Sequence, residues 1–133
     1  MRTSLTQDQI NQYQEDGFII IRNFLSDEER AELLGAVTDC VKEFAGTRII
    51  GDEGIEGSKE NTNKDDFYAN VFLQKVNMWK VNKTIKKYML NPKLGEMACK
   101  LEGIDGIRVW HDQTLQKKPW GNPTAFHMDN PYW

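Results

Sequence analysis

The side chains with the most chemical potential stand near the end of the chain, where His127 and Asp129 flank Met128. Alternate side chains of an extended strand share a face, so this imidazole and carboxylate project together. Such a pair can grip one divalent metal. It supplies two of the three ligands in the two-histidine, one-carboxylate set that leaves positions open on non-haem iron(II). A hydrogen-bonded surface pair fits the same short pattern, and the chain contains one other histidine, His111.

His111 belongs to a second polar run. Ile107 to Gln116 alternates in the manner of a strand, with His111, Gln113, Leu115 and Lys117 on one face and Arg108, Trp110, Asp112, Thr114 and Gln116 on the other. Neither face is cleanly apolar. A polar cavity inside a β-roll and a solvent-facing sheet side both accommodate it. Lys117-Lys118-Pro119-Trp120-Gly121-Asn122-Pro123 then reads as a turn, and Thr124 to Asp129 extends again, so two strands joined by a Pro/Gly loop are expected here.

Upstream elements must position these residues. Thr6 with Gln9 three residues on makes a capping box for a short helix, Leu5 and Ile10 form a hydrophobic staple across its start, and Gly17 ends it. Phe18 to Ile21 is a run of β-formers suited to a buried strand. Ser26 and Glu29 cap a longer helix whose apolar stripe is Leu34, Val37, Val41 and Phe44, with Gly46 at its end. Residues 47–66 carry three glycines and many charges, and read as a long mobile loop. Val71 to Val76 reads as a strand and Val81 to Leu90 as a helix. Asn91 and Pro92 start a last helix that stops at Gly103.

Composition narrows the function classes. With 133 residues the chain is one domain at most, and a net charge of −3 without a polybasic patch argues against nucleic acid as a partner. No apolar run has the length of a membrane span and no leader-like segment opens the chain, so a cytoplasmic protein without membrane contact is expected. Cys40 and Cys99 lie singly in helical patterns and read as buried free thiols.

The stretch from Gly106 to Trp133, G-I-R-V-W-H-D-Q-T-L-Q-K-K-P-W-G-N-P-T-A-F-H-M-D-N-P-Y-W, closely resembles the phytanoyl-CoA dioxygenase family of iron(II)- and 2-oxoglutarate-dependent oxygenases. The upstream order is similar too: a short helix, then Asp16-Gly17-Phe18-Ile19-Ile20-Ile21-Arg22-Asn23-Phe24-Leu25-Ser26 running into an acidic-capped helix, and later Asn91-Pro92-Lys93-Leu94. The resemblance implies that His127 and Asp129 are metal ligands, and that Lys117, Gln113 and Lys75 contact the cosubstrate 2-oxoglutarate. It implies that Trp133 lines the mouth of the active site against a small-molecule substrate, with no catalytic residue beyond the metal ligands. His111 is then a pocket or structural histidine, because the family's second ligating histidine comes from a much later strand.

No histidine follows Asp129, and no downstream arginine is present to grip the far carboxylate of 2-oxoglutarate. The expectation is therefore an α+β chain that forms a single but incomplete oxygenase domain. Its N-terminal helices would pack on the first strands, over residues 104–133, of a truncated double-stranded β-helix, a cupin-like jelly roll. The complete protein would hydroxylate a small or acyl substrate, and this chain alone would be inactive. Two alternatives stand beside it: a non-catalytic module that self-associates through exposed strand edges, and a cupin-like metal protein of other chemistry.

Overall fold

A computed structural model describes residues 1–52 and 54–128. The first helix, α1 (Gln7–Asp16), begins as its capping box dictates: the Thr6 hydroxyl accepts from the Gln9 backbone N–H at 3.2 Å, and the Gln9 side chain accepts from Thr6 N–H at 3.0 Å. Gly17 closes it at φ 75°, a left-handed position suited to glycine. Helix α2 (Asp27–Glu43) starts in the same way on Ser26 and Glu29.

Two expectations in this region are corrected. Phe18 to Ile21 is not a strand, and Phe18 and Ile20 are 58% and 65% exposed. A run of β-formers states a local preference, but a strand exists only where a second backbone meets its hydrogen bonds, and among the described residues none does so here. The buried face of α2 is also rotated from the predicted stripe. Leu33, Ala36, Val37, Cys40 and Phe44 face the core, while Leu34 is exposed. Leu33 and Leu34 are adjacent, so the pattern alone offered two stripes about 100° apart.

The segment after α2 is not a loose loop. Ile50 N–H donates to Val76 O at 3.0 Å, Val76 N–H donates to Arg48 O at 2.8 Å, and Glu60 N–H donates to Gly46 O at 3.1 Å. These bonds drop the Ile50 side chain into the core, where it is fully buried beside Cys40, Met78 and Ile85. Three glycines and many charges concealed one anchor of this kind.

Strand β1 (Leu73–Val76) leads through a 3₁₀ turn at Met78–Lys80 into helix α3 (Lys83–Met89), which the Asn82 side chain caps by accepting from the Thr84 and Ile85 amides. Helix α4 (Pro92–Glu102) has Asn91 as its cap, proline in its first turn and Gly103 at φ 69° beyond its end. Helix α1 packs on α4, and α2 packs on α3. Cys40 is buried as expected, whereas Cys99 is only half-buried. No helix among the described residues is long and apolar enough to cross a membrane.

Strand β2 (Gln113–Gln116) pairs antiparallel with β1 in the register Leu73 with Gln116, Gln74 with Leu115, Lys75 with Thr114 and Val76 with Gln113. The fold is thus mixed helix with a small two-stranded antiparallel sheet. The strand predicted over 107–116 is confined to its last four residues, and residues 124–128 are not a strand. Neither segment finds a further backbone partner for a ladder among the described residues.

One polar cluster ties α2 to α3. The Tyr88 hydroxyl donates to Glu32 at 2.6 Å, and Lys87 donates to the same carboxylate at 3.0 Å. The bond to Glu32 pushes the Tyr88 pKa up to about 12, and the bonds from Tyr88 and Lys87 pull Glu32 below the usual carboxylate range. A raised phenol stabilises the fold fully below the unfolded value near 10, and this contribution is lost as pH climbs toward 12. The lowered carboxylate contributes above about pH 4.5, and its contribution is lost as acid protonates it in the fold. Stability against urea is expected to be flat between these limits and to decline on both sides. Tyr88→Phe should lessen the alkaline decline above pH 10, to which Tyr13, raised by its bond to Glu102, also contributes, and an unchanged decline in that variant would refute the assignment.

Candidate functional site

The antiparallel pairing of β1 with β2 builds one wall of an open cleft of about 730 Å³. Residues directly opposite in such a pair point to the same face. Gln74 of β1 therefore joins Gln113 and Leu115 of β2, and His111 and Lys117 continue this face at either end. The alternation read from the sequence is realised: His111, Gln113, Leu115 and Lys117 all line the cleft, while Asp112 is buried behind them. Thr124, Ala125 and His127 close it from the opposite side, after the chain has turned through Lys118–Gly121.

Hydrogen bonds orient the polar lining. Gln74 Nε2 donates to Gln113 Oε1 at 2.9 Å, which fixes the Gln113 amide and leaves its own N–H groups to face the cleft. Lys117 Nζ donates to Thr124 Oγ1 at 3.3 Å, linking the two walls. His127 Nδ1 lies 2.8 Å from the Ala125 carbonyl oxygen. A carbonyl can only accept, so Nδ1 carries a hydrogen, and a backbone carbonyl at one ring nitrogen is the partner that commonly orients a ligating imidazole. No carboxylate is among the described lining residues, so Lys117 gives the cleft a positive bias.

Behind the sheet, Asp112 Oδ1 accepts from the Trp79 backbone N–H at 3.4 Å, and its backbone carbonyl accepts from Asn77 at 3.0 Å. Burial pushes this carboxyl above its ordinary range, against the backbone hydrogen bonds that hold it down.

The expected residues are only partly brought together. Gln113, Lys117 and His127 share the cleft. Lys75 does not. It points to the other side of β1, is fully buried, and donates to Phe44 O at 2.6 Å, to Thr47 O at 2.7 Å and to the Glu60 carboxylate. The expectation that it reaches a cosubstrate is corrected, because the register turns its neighbour Gln74 to the cleft instead. Sequence reading missed Gln74 and Thr124; Gln74 is the polar neighbour of Lys75 in the predicted strand and so takes the opposite face. Asp129 and Trp133 lie outside the described residues. Among the described residues no three histidine, cysteine, aspartate or glutamate side chains come together as a metal site.

The chain matches the family model described as phytanoyl-CoA dioxygenase over residues 13–133. It belongs to the phytanoyl-CoA dioxygenase family. The match takes in both walls of the cleft and everything from the middle of α1 onward, and it makes this chain a member of a dioxygenase family. A curated relative, ectoine dioxygenase from Bordetella parapertussis, is 26% identical over 132 residues, which is 98% of this chain and 39% of that protein. The family member described here thus spans about two-fifths of the length of that relative. No solved structure matches it.

The donor set in the cleft fits what the family implies, as far as it is described. His127 offers a ligating nitrogen with its other nitrogen fixed, and Gln113 and Lys117 offer hydrogen-bond donors and one cation for an oxoacid.

Proposed function

We propose that this chain is the N-terminal portion of an iron(II)- and 2-oxoglutarate-dependent dioxygenase that hydroxylates a small or acyl substrate. The observation that carries the reading is the convergence of Gln113, Lys117 and His127 on one cleft, in a chain of a dioxygenase family. His127, with Asp129 two residues on, would hold the iron, which when bound supplies the activation of dioxygen. Lys117 attracts a carboxylate of the cosubstrate by charge, and the Gln113 amide, pinned by Gln74, donates a hydrogen bond to the same molecule. The Ala125 carbonyl keeps His127 in the tautomer that leaves Nε2 for the metal. Of these groups, Gln113 stands on the sheet, which holds it more rigidly than a loop could.

Exposed apolar side chains support the view that this is one portion of a larger domain. Leu115 is exposed in the cleft, and Val109, Trp110, Phe126 and Met128 are exposed in the segments that flank β2 and His127. A β-roll completed by further strands would cover such a face and meet the open edges of the sheet. By this reading the domain is a cupin-like double-stranded β-helix, and the 133-residue chain alone does not turn over.

The test is succinate formation from 2-oxoglutarate by a polypeptide extended to the full length of its relative. Coupled turnover by the extended protein and none by residues 1–133 is expected, while turnover by the 133-residue chain would refute the incomplete-domain reading. In the extended protein, Lys117→Met is expected to raise the KM for 2-oxoglutarate about 10- to 100-fold, the size of a lost charge-assisted bond. Metal affinity should change little. An unaltered KM would remove Lys117 from the site.

A further inference from the structure

A second cleft, of about 820 Å³, opens beyond Phe72 and Gln74 and differs in character from the first. Its rim carries Arg48, Lys64 and Lys118, three exposed cations whose side chains make no ion pair or hydrogen bond among the described residues. In a chain of net charge −3, three unpaired cations around one cavity concentrate positive potential against the overall balance. The one carboxylate among the described lining residues, Glu60, is already engaged by Lys75.

Trp120 stands among these cations, fully exposed at 101%. It also occupies a backbone position that disfavours it. Gly121 N–H donates to Lys118 O at 3.0 Å, which closes a four-residue turn with Pro119 second and Trp120 third, and Trp120 has φ 65°. Glycine or asparagine is the ordinary occupant of that third position, and a bulky side chain there is strained.

The turn is held firmly enough to sustain this. Asn122 N–H donates to Asn70 O at 2.9 Å, and the Asn122 side chain donates to Phe67 O at 2.9 Å. Gly121 sits so close to this wall that a Cβ would meet Asn70 O at 3.2 Å. The fold therefore fixes an indole in water at a conformational cost, beside three unpaired cations. Stacking on a planar ring and pairing with anionic groups would each use what the cleft presents.

We propose that this second cleft binds a planar ring compound bearing phosphate groups, a nucleotide-like small molecule, with the ring on Trp120 and the phosphates among Arg48, Lys64 and Lys118. The site stands on its own geometry and does not depend on the dioxygenase reading. Its test is calorimetric titration of the 133-residue chain with adenosine diphosphate and, separately, with inorganic pyrophosphate.

Adenosine diphosphate is expected to bind saturably and at least about tenfold more tightly than pyrophosphate, with both weakening as salt rises. Trp120→Gly relieves the positive φ and should melt no lower than the parent. It is expected to lose that tenfold preference and to leave pyrophosphate binding unchanged. A double variant, Arg48→Gln with Lys118→Gln, should weaken both ligands. Absence of saturable binding, equal affinity for the two ligands, or Trp120→Gly binding adenosine diphosphate as the parent does would each overturn the proposal. So would a short oligothymidylate binding more tightly than adenosine diphosphate, since that would mark a strand-binding groove.

Discussion

Replacing His127 by alanine in the extended polypeptide is expected to abolish hydroxylation and to weaken divalent metal binding by more than 100-fold. The magnitude follows from the position of the residue. Loss of a group that merely orients a metal ligand costs about 10- to 100-fold in affinity, so loss of the ligating nitrogen itself should exceed that range. His127 also has its ring oriented by the Ala125 carbonyl at Nδ1. Calorimetry with cobalt(II) or nickel(II) as probe separates this from a folding defect, because the side chain is exposed and its removal should leave the melting temperature of the metal-free protein within a few degrees. Metal affinity within threefold of the parent would show that His127 is not a ligand. Gln113→Ala in the same assay is the contrasting case, expected to affect 2-oxoglutarate and to spare the metal.

Lys75→Ala is expected to be among the most damaging substitutions to stability, at about 3–5 kcal/mol, the cost of removing one partner from a buried charged network. A domain of ordinary stability has only about 5–15 kcal/mol in total. Lys75 is fully buried and donates to the end of α2 at Phe44 O, to Thr47 O, and to Glu60. Its removal takes the ammonium donor from Thr47 O and one of two donors from Phe44 O, which keeps the Thr47 N–H at 3.0 Å, while Glu60, whose side chain is 22% exposed, can return partly to water.

Lys75→Met keeps most of the stem volume and should therefore recover part of the loss, with the lost ammonium hydrogen bonds accounting for what remains. Adding Glu60→Gln to Lys75→Met should cost less than the sum of the two single changes, because the groups share one network. Urea unfolding measures all four proteins. A Lys75→Ala variant within about 1 kcal/mol of the parent would mean that the network contributes little.

These two residues mark how far the sequence could be read. The caps at Thr6, Ser26 and Asn91 were legible because a cap is settled by side chains within three residues of the backbone groups they serve. The shared face of His111, Gln113, Leu115 and Lys117 was legible for a related reason: alternation is a property of extended chain and needs no partner. The resemblance to the dioxygenase family was carried by the same C-terminal block, and the family match confirmed it.

Other features depended on partners distant in the chain. Phe18 to Ile21 has strand composition but lies beside no strand among the described residues. Ile50 looks like one apolar residue in a charged loop until Val76 supplies the hydrogen bonds that seat it in the core. Lys75 and Gln74 are both plausible site residues by type. The pairing of Lys75 with Thr114 and of Gln74 with Leu115 sends one to the interior and the other to the cleft. A shift of one residue in that register would exchange them, because side chains alternate strictly across a sheet.

By itself, then, the sequence determined the caps, the polar face of β2, the family and the candidate ligand His127, all of which are written in neighbouring residues. The tertiary structure alone decided which face of β1 meets that polar strand, that the glycine-rich segment is tied to the core, and that Trp120 is held out beside three cations. Each of those depends on hydrogen bonds and packing between segments tens of residues apart, which no local pattern encodes.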